Sequence, residues 1–177
     1  NLNGKFQFGT TNLNLAVQNL KSPLLRTIIN VIAIVPELRK NPNAALGSLA
    51  GSLFGGGNTG PTGDWRDDLS KSPIDIIQAS ATIGKQRMDL QRAFIQSPAF
   101  QATAVGTVKL ASVLTNSQIQ IPLNIFVHRS LAEKINFVPA GTPTNVAYVA
   151  LPNYVSLKGT VGEQKTEINK KAIVGTA

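Results

Sequence analysis

The chain has 177 residues, which is room for one domain with a sizeable core and too little for two. Charged residues make up 15% and hydrophobic residues 42%, whereas about 25% charged residues is usual in soluble domains. This composition excludes a disordered chain, because it supplies enough apolar side chains for a core. The sequence has no cysteine, which excludes disulfides, thiolate metal sites and cysteine nucleophiles.

The net charge is +8, but the 17 basic residues are scattered rather than clustered. The only adjacent basic pairs are Arg39–Lys40 and Lys170–Lys171, which is too short a run for a basic recognition motif. We therefore interpret the charge as a solvated basic surface, with contact to an anionic membrane as the alternative.

Residues 2–18 show the two-residue period of a β-strand. Phe6 and Phe8 are two apart, and apolar residues at 13, 15 and 17 repeat the spacing. Alternate side chains of a strand point to opposite faces, so this pattern predicts strands. The segment Gly9–Asn12 has the composition of a turn, and we predict a hairpin that closes there.

Residues 22–38 have a helical period instead. Ser22 can cap a helix, and Pro23 suits its first position. The apolar residues that follow are spaced by three and four: Leu24, Leu25, Ile28, Ile29, Ile32 and Val35. We predict an amphipathic helix that Pro36 ends or kinks. A membrane span takes about 20 apolar residues, so this is a core helix or, as the alternative, an interfacial one.

A weaker helical pattern covers residues 43–54, and a glycine-rich loop follows at 55–63. Beyond the loop, Asp64, Asp67 and Asp68 form the only acidic cluster of the sequence. Three carboxylates could bind a cation, but they lack the alternate ligand spacing of a calcium loop. We favour a helix N-terminus, where negative charge is stabilising.

From residue 72 onward, apolar and polar residues alternate in successive short runs. The runs cover residues 77–83, 88–90, 100–110, 119–127 and 155–161. Short turns such as Gly84–Lys85 separate them, so we predict an antiparallel meander rather than a parallel sheet. The predicted fold class is α+β and β-dominated, with an open sheet that could form a groove and one or two N-terminal helices packed on its apolar face. We expect a single domain over 1–177, with the hairpin and helices in 1–54 and the antiparallel strands in 64–177.

One face of the predicted sheet is continuously aliphatic, whereas the other is rich in Gln, Thr, Ser and Asn. Apolar sheet that the helices leave uncovered would be a groove for an apolar ligand. The candidate lipid-contact residues share that face: Phe100, Ala102, Ala104, Ile119, Ile121, Leu123, Ile125 and Val127.

A series of short motifs occurs in order between Ser72 and Thr166. The segments are PIDIIQASATIG at 73–84, SPAF at 97–100, AVGTVKL at 104–110, IQIPL at 119–123 and LKGTVG at 157–162. In order, they are similar to four elements of one known family. These are a strand leading into a glycine turn, a strand pair ending in G-x-V-x-L, a further strand, and a closing L-x-G-T-L-x-x-P signature. Together they resemble the C-terminal region of the AsmA-like family of Gram-negative envelope proteins. Gln164–Lys165 stands where the family often has a proline.

The resemblance implies a non-enzymatic periplasmic protein that is anchored to the inner membrane in its full-length form. Larger relatives form a lengthwise hydrophobic groove thought to carry phospholipid between membranes, which implies phospholipid or membrane as the partner and outer-membrane biogenesis as the process. It implies no catalytic residues and no cofactor. The chain begins at Asn1 without an export signal, and we interpret it as a fragment or processed product that forms a groove segment or a terminal cap.

No catalytic or metal set can be assembled from the sequence. His128 is the only histidine, and no G-x-S-x-G elbow accompanies it, so we predict a surface histidine at a strand end and no small-molecule substrate. The few aromatic residues are dispersed, which argues against a nucleic-acid stacking surface. The alternative to a lipid-contacting domain is a structural or protein-interaction module. Its apolar face would be buried by its own helices, and another envelope protein would meet the open sheet edge.

Overall fold

The computed structural model describes residues 3–16, 23–41, 64–153 and 155–169. Within these ranges the helices are α1 (Pro23–Lys40), α2 (Asp64–Lys71) and α3 (Arg129–Lys134), and a 3₁₀ turn covers Leu114–Asn116. The strands are β1 (Gly4–Thr10), β2 (Leu15–Ala16), β3 (Pro73–Ile74), β4 (Ile76–Gly84), β5 (Arg87–Gln96), β6 (Phe100–Lys109), β7 (Gln118–His128), β8 (Tyr148–Ala150), β9 (Val155–Thr160) and β10 (Gln164–Ile168). The predicted helix at 43–54 and the predicted loop at 55–63 lie outside the described residues.

Eight strands form one open antiparallel sheet in the order β1-β4-β5-β6-β7-β9-β10, with β8 also paired to β7. β8 and β9 pair with successive parts of β7, and between them the Leu151 N–H donates to the Ile125 carbonyl at 2.9 Å. β2 and β3 form a separate two-stranded sheet. The prediction of a β-dominated antiparallel meander is confirmed.

The predicted hairpin at residues 2–18 is wrong. β1 pairs with β4, whereas β2 pairs with β3. Asn12 and Asn14 have φ values of 57° and 44°, and this left-handed conformation interrupts extended backbone. The chain therefore leaves the line of β1 instead of returning along it. The two-residue period identified the strand but could not identify its partner.

α1 begins at Pro23 and does not end at Pro36, so of the two predicted effects of this proline only a kink stays a prediction. The helix continues to Lys40, and the Asn41 N–H donates to the Glu37 carbonyl at 2.8 Å. Proline lacks only its own N–H, so a helix loses one bond there and can continue beyond it. The consecutive residues 31–35 are all buried, which makes the buried side of α1 wider than the predicted stripe.

α2 begins at Asp64, so the acidic cluster occupies a helix N-terminus as predicted. Asp67 forms an ion pair with Lys71 at 2.8 Å, within the same helix. Asp68 forms one with Lys134 at 2.7 Å, which joins α2 to α3. Both pairs are exposed, and such pairs contribute about 0–1 kcal/mol each.

The core lies on one face of β6 and β7. Alternate residues of both strands are buried, as the two-residue period predicts. One hydrophobic cluster contains them together with buried residues of α1, α2 and α3. The opposite face is polar and accessible, and Val105 on that side is 55% exposed.

β5 contains one extra residue relative to both of its neighbours. Its ladder with β4 shifts between Ser80 and Ala81, and its ladder with β6 shifts between Leu90 and Ala93. Ala81 lies opposite Leu90 and Ser80 lies opposite Arg92, so Gln91 is left over. A β-bulge of this kind changes the direction of the side chains beside it.

Candidate functional site

The eight predicted lipid-contact residues do lie on one face of β6 and β7, and all eight are buried. Their exposed fractions range from 0% at Phe100 and Val127 to 8% at Ile119. They belong to the same hydrophobic cluster as Ile28 and Ile32 of α1, which are also fully buried. Side chains at this depth have no free surface for a ligand in this conformation. Lipid contact at these positions stays a prediction, and it would require the covering residues to move.

The same face becomes exposed towards the β1 edge of the sheet. Phe6 and Phe8 on β1 are 54% and 47% exposed, although the side chains of inner strands on this face are buried. Between these extremes the apolar residues of β4 and β5 are half-buried, except for Ala81, which is buried. We call the uncovered part the apolar margin, and define it as Phe6, Phe8, Ile83, Met88 and Leu90.

Register places the apolar margin on the face that carries the core. Phe6 lies opposite Ala81, and Phe8 lies opposite Ala79. Residues directly opposite each other in an antiparallel ladder point to the same side of the sheet. A phenyl ring beside an alanine methyl group keeps most of its surface free, because the small neighbour covers little of it. The aromatic rings of β1 therefore remain accessible to a further layer or strand.

Among the strands that the structure describes, only β4 pairs with β1, so one side of the β1 backbone has no ladder partner there. An edge strand presents a row of unpaired N–H and C=O groups, which natural proteins usually protect with charged residues, proline or a bulge. β1 has seven residues and a single charge, Lys5, and it contains no proline. The other edge strand, β10, carries Lys165 and Glu167 within five residues. The β1 edge thus combines free backbone groups with exposed aromatic side chains.

The apolar margin was missed as a site because burial is not visible in a local pattern. The signal that could have indicated it was the pair Phe6 and Phe8, which showed strand spacing close to the start of the chain. That spacing predicts two large side chains on one face of a strand. It cannot predict that the strand lies at an edge.

His128 ends β7, as predicted, and is half-buried rather than fully exposed. Its Nδ1 accepts a hydrogen bond from the Ser130 N–H at 3.4 Å and lies 2.8 Å from Ser130 Oγ. The ring meets Tyr148 edge-on, with 5.4 Å between centroids. An open depression of about 210 Å³ lies beside it, and the carboxylate there, Asp68, is paired with Lys134. This arrangement is a helix cap, in which the imidazole satisfies a free N–H of α3.

Within the described ranges, no group of three His, Asp or Glu side chains lies close enough together to hold a metal ion. None of the helices that the structure describes is long and apolar enough to cross a membrane.

Comparison with known proteins finds no family model, no curated protein and no solved structure that matches the chain. Three interpretations therefore stay predictions: the AsmA-like resemblance, the envelope location and the lipid partner.

Proposed function

We propose that the chain is a non-enzymatic β-sheet module of a bacterial envelope protein, which binds an extended segment of a partner protein along the β1 edge. The observation that carries the proposal is the exposure of Phe6 and Phe8, at 54% and 47%, on an edge strand. Their face is continuous with the core face of the sheet. A partner strand would complete both the backbone ladder and the apolar layer.

In this proposal α1 packs across the apolar face over β6 and β7 and closes it. Support comes from the hydrophobic cluster that contains Ile28 and Ile32 together with Leu123 and Ile125. A hydrogen bond of 3.4 Å between Thr27 Oγ1 and a threonine hydroxyl of β10 also links the helix to the sheet. With the centre closed, binding is confined to the apolar margin.

Strand addition accounts for both kinds of free group on β1. In this mode main-chain hydrogen bonds supply affinity, and alternate side chains supply specificity. The partner would place apolar side chains against Phe6 and Phe8, and polar or acidic ones on the face of Lys5. Covering the exposed half of each phenyl ring contributes about 1–2 kcal/mol.

The AsmA-like resemblance supports the cellular setting of this proposal. It implies a module in the periplasm, as part of a longer β-structure anchored to the inner membrane and serving outer-membrane biogenesis. The strand that joins β1 would then belong to another envelope protein. The helix-cap role of His128 supports a non-enzymatic module, since the only imidazole of the chain is engaged in structure.

A second candidate is phospholipid contact at the apolar margin instead of at the eight predicted positions. The observation that favours it is the half-buried state of Ile83, Met88 and Leu90, which extends the exposed apolar surface from β1 across β4 to β5. Acyl chains could lie on this surface without opening the core. Protein exported to the periplasm and purified without detergent would carry phospholipid detectable by mass spectrometry, and Met88→Ser with Leu90→Ser would remove it.

Site-specific photo-cross-linking distinguishes the two candidates. A photoreactive phenylalanine analogue replaces Phe6 or Phe8 in protein exported to the periplasm of a Gram-negative host, and mass spectrometry identifies what it captures. The control position is Val105, which is 55% exposed on the polar face. Capture of a polypeptide at positions 6 and 8 but not at 105 supports strand addition, whereas capture of phospholipid supports the second candidate. Equal labelling at all three positions would contradict both.

A further inference from the structure

The polar face of the sheet carries a recess beside the β5 bulge. The recess has a volume of about 430 Å³ and is lined by Gln7, Gln78, Ser80 and Arg92 together with Phe8, Gly9 and Ala79. Gln7 lies opposite Ser80, and Ser80 lies opposite Arg92, so three polar side chains form one row across three strands. Side chains so placed have Cβ atoms about 5 Å apart between neighbouring strands.

The bulge explains why an arginine stands in this row. Gln91 is the extra residue of β5, and its side-chain amide donates to Thr82 Oγ1 on the polar face at 3.0 Å. Arg92, the next residue, lies over the ring of Phe94 on that same face, with 4.9 Å from guanidinium carbon to ring centroid. The side chains of two successive residues, Gln91 and Arg92, thus project from the same face of the sheet, whereas in a regular strand successive side chains point to opposite faces.

The guanidinium of Arg92 is oriented without being neutralised. Phe94 holds it by a cation–π contact, which leaves its N–H donors free. Among the described residues no carboxylate forms an ion pair with Arg92, whereas Arg87 on the same strand is paired with Asp89 at 2.8 Å. The amide groups of Gln7 and Gln78 add further donors at the rim of the recess.

Gly9 leaves the recess open on the β1 side. It lies opposite Gln78, and a Cβ atom added there would be 3.6 Å from Gln78 Cγ. This distance is ordinary van der Waals contact, so a larger side chain would fit the backbone and would narrow the recess. The glycine therefore makes room for a ligand and is not required by a turn.

We propose that this recess is a phosphate-binding site, in which the fork of Arg92 binds two phosphate oxygens and Gln7, Gln78 and Ser80 donate to the others. Arginine matches phosphate geometry through paired N–H bonds. A phosphate group has more acceptor oxygens than a carboxylate, which suits a site with four donor side chains. The phosphate belongs to a lipid headgroup or to a soluble phosphate compound, and both sources present at least the pair of terminal oxygens that the fork of Arg92 binds. The site goes beyond the strand-binding function, because its four donor side chains lie on the opposite face of the sheet from the side chains of Phe6 and Phe8, although Phe8 also lines the recess.

The test is to titrate the full chain with phosphate-bearing probes. Binding is monitored through the NMR signals of the Arg92 Nε–H and the Gln78 side-chain amide. The probes are inorganic phosphate, sn-glycerol 3-phosphate and vesicles of phosphatidylglycerol, with acetate and phosphatidylcholine vesicles as controls at about 0.15 M salt. We expect saturable shifts with phosphate-bearing probes. Arg92→Met should weaken binding by at least about tenfold, whereas Arg87→Met should leave it within about twofold because Arg87 is already paired.

The outcomes distinguish a lipid headgroup from a soluble compound as the source of the phosphate, or they contradict the proposed site. Binding of phosphatidylglycerol vesicles through Arg92 assigns a lipid headgroup, and binding of the free phosphates alone assigns a soluble compound. Gly9→Val should weaken binding without changing the unfolding midpoint. The proposal is overturned by acetate binding as tightly as phosphate, or by shifts that persist in Arg92→Met.

Discussion

Phe6 and Ala81 face each other across the β1–β4 ladder, yet Phe6 is 54% exposed and Ala81 is 5% exposed. The boundary of the core therefore runs between two neighbouring strands, with β1 outside it. An exposed apolar edge strand is a liability for aggregation, and natural sheets usually protect it. The boundary separates residues that stabilise the fold from residues that are free to bind. Substitutions inside it should lower the free energy of unfolding, whereas substitutions on β1 should weaken partner binding.

Leu123→Asp should unfold the chain. Leu123 is 3% exposed inside the hydrophobic cluster, and an unpaired charge at such a position is very costly. The milder Leu123→Ala should lower the free energy of unfolding by about 2–5 kcal/mol. Circular dichroism with urea denaturation measures both. The control, Val105→Asp on the exposed polar face, should change stability by no more than about 0.5 kcal/mol. A folded Leu123→Asp protein that no longer binds lipid would instead show that Leu123 lines a groove.

Phe6→Ser combined with Phe8→Ser should abolish partner binding while costing little stability. Both rings are about half exposed, so their removal loses few buried contacts. We expect the free energy of unfolding to fall by less than about 2 kcal/mol for the pair. Phe100→Ser is the matched comparison, because that ring is fully buried and its loss should cost about 3–5 kcal/mol. Similar losses for the edge pair and for Phe100 would mean that β1 belongs to the core.

Much of the sheet could be predicted from the sequence because its central strands obey one strong rule. In β6 and β7 every second residue is apolar, with Gly106 as the one exception, and burial follows that alternation. β8 was missed since it has only three residues, and β10 since its charged residues hide the period. The turn between β4 and β5 lies at Lys85–Gln86, one residue later than predicted. Both residues have positive φ there without being glycine or asparagine.

The candidate site was less predictable, because the exposure of its side chains depends on which other residues pack against them. The eight residues proposed for lipid contact do share one face, but their burial depends on contacts between residues far apart in the sequence, which a local pattern does not contain. The exposure of Phe6 depends on β1 pairing with β4 and on no other described strand lying beyond it in the sheet. Arg92 could not be singled out either, since its place in the polar row depends on the bulge at Gln91.

Gly159→Ala should destabilise the fold by more than about 1 kcal/mol. Gly159 has a φ of 92°, and an added Cβ atom would collide with the carbonyl oxygen of Glu163 in the turn to β10. Gly141 has a similar φ of 81° but open space around it. Gly141→Ala therefore isolates the backbone strain, and it should cost less than Gly159→Ala in thermal unfolding. Equal losses of stability at the two positions would show that the collision with Glu163 does not contribute to the effect of Gly159→Ala.

Tyr148 should make stability depend on pH in the alkaline range. Burial, with a smaller contribution from the negative charge of Asp75, raises the pKa of Tyr148 above its ordinary value of 10.0. Its hydroxyl donates to the Ser97 carbonyl at 3.1 Å, a bond that contributes about 0.5–1.5 kcal/mol. Because the folded-state pKa is raised, this contribution is complete below pH 10.0 and is lost as the pH rises through the folded-state value.

The measurement for Tyr148 is the unfolding free energy of the wild-type chain and of Tyr148→Phe across this range. The wild type should be the more stable of the two near neutral pH, and the difference should shrink in alkaline solution. A difference that stays constant with pH would mean that the phenol ionises as freely in the folded chain as in the unfolded one.

Backbone amide exchange can show whether a partner strand pairs with the outer edge of β1. Exchange would be measured residue by residue over Gly4–Thr10, in the chain alone and in complex with the polypeptide captured at position 6 or 8. We expect the β1 amides that do not donate to β4 to exchange rapidly in the free chain and at least about a hundredfold more slowly in the complex. Unchanged exchange of those amides in a stable complex would contradict strand addition.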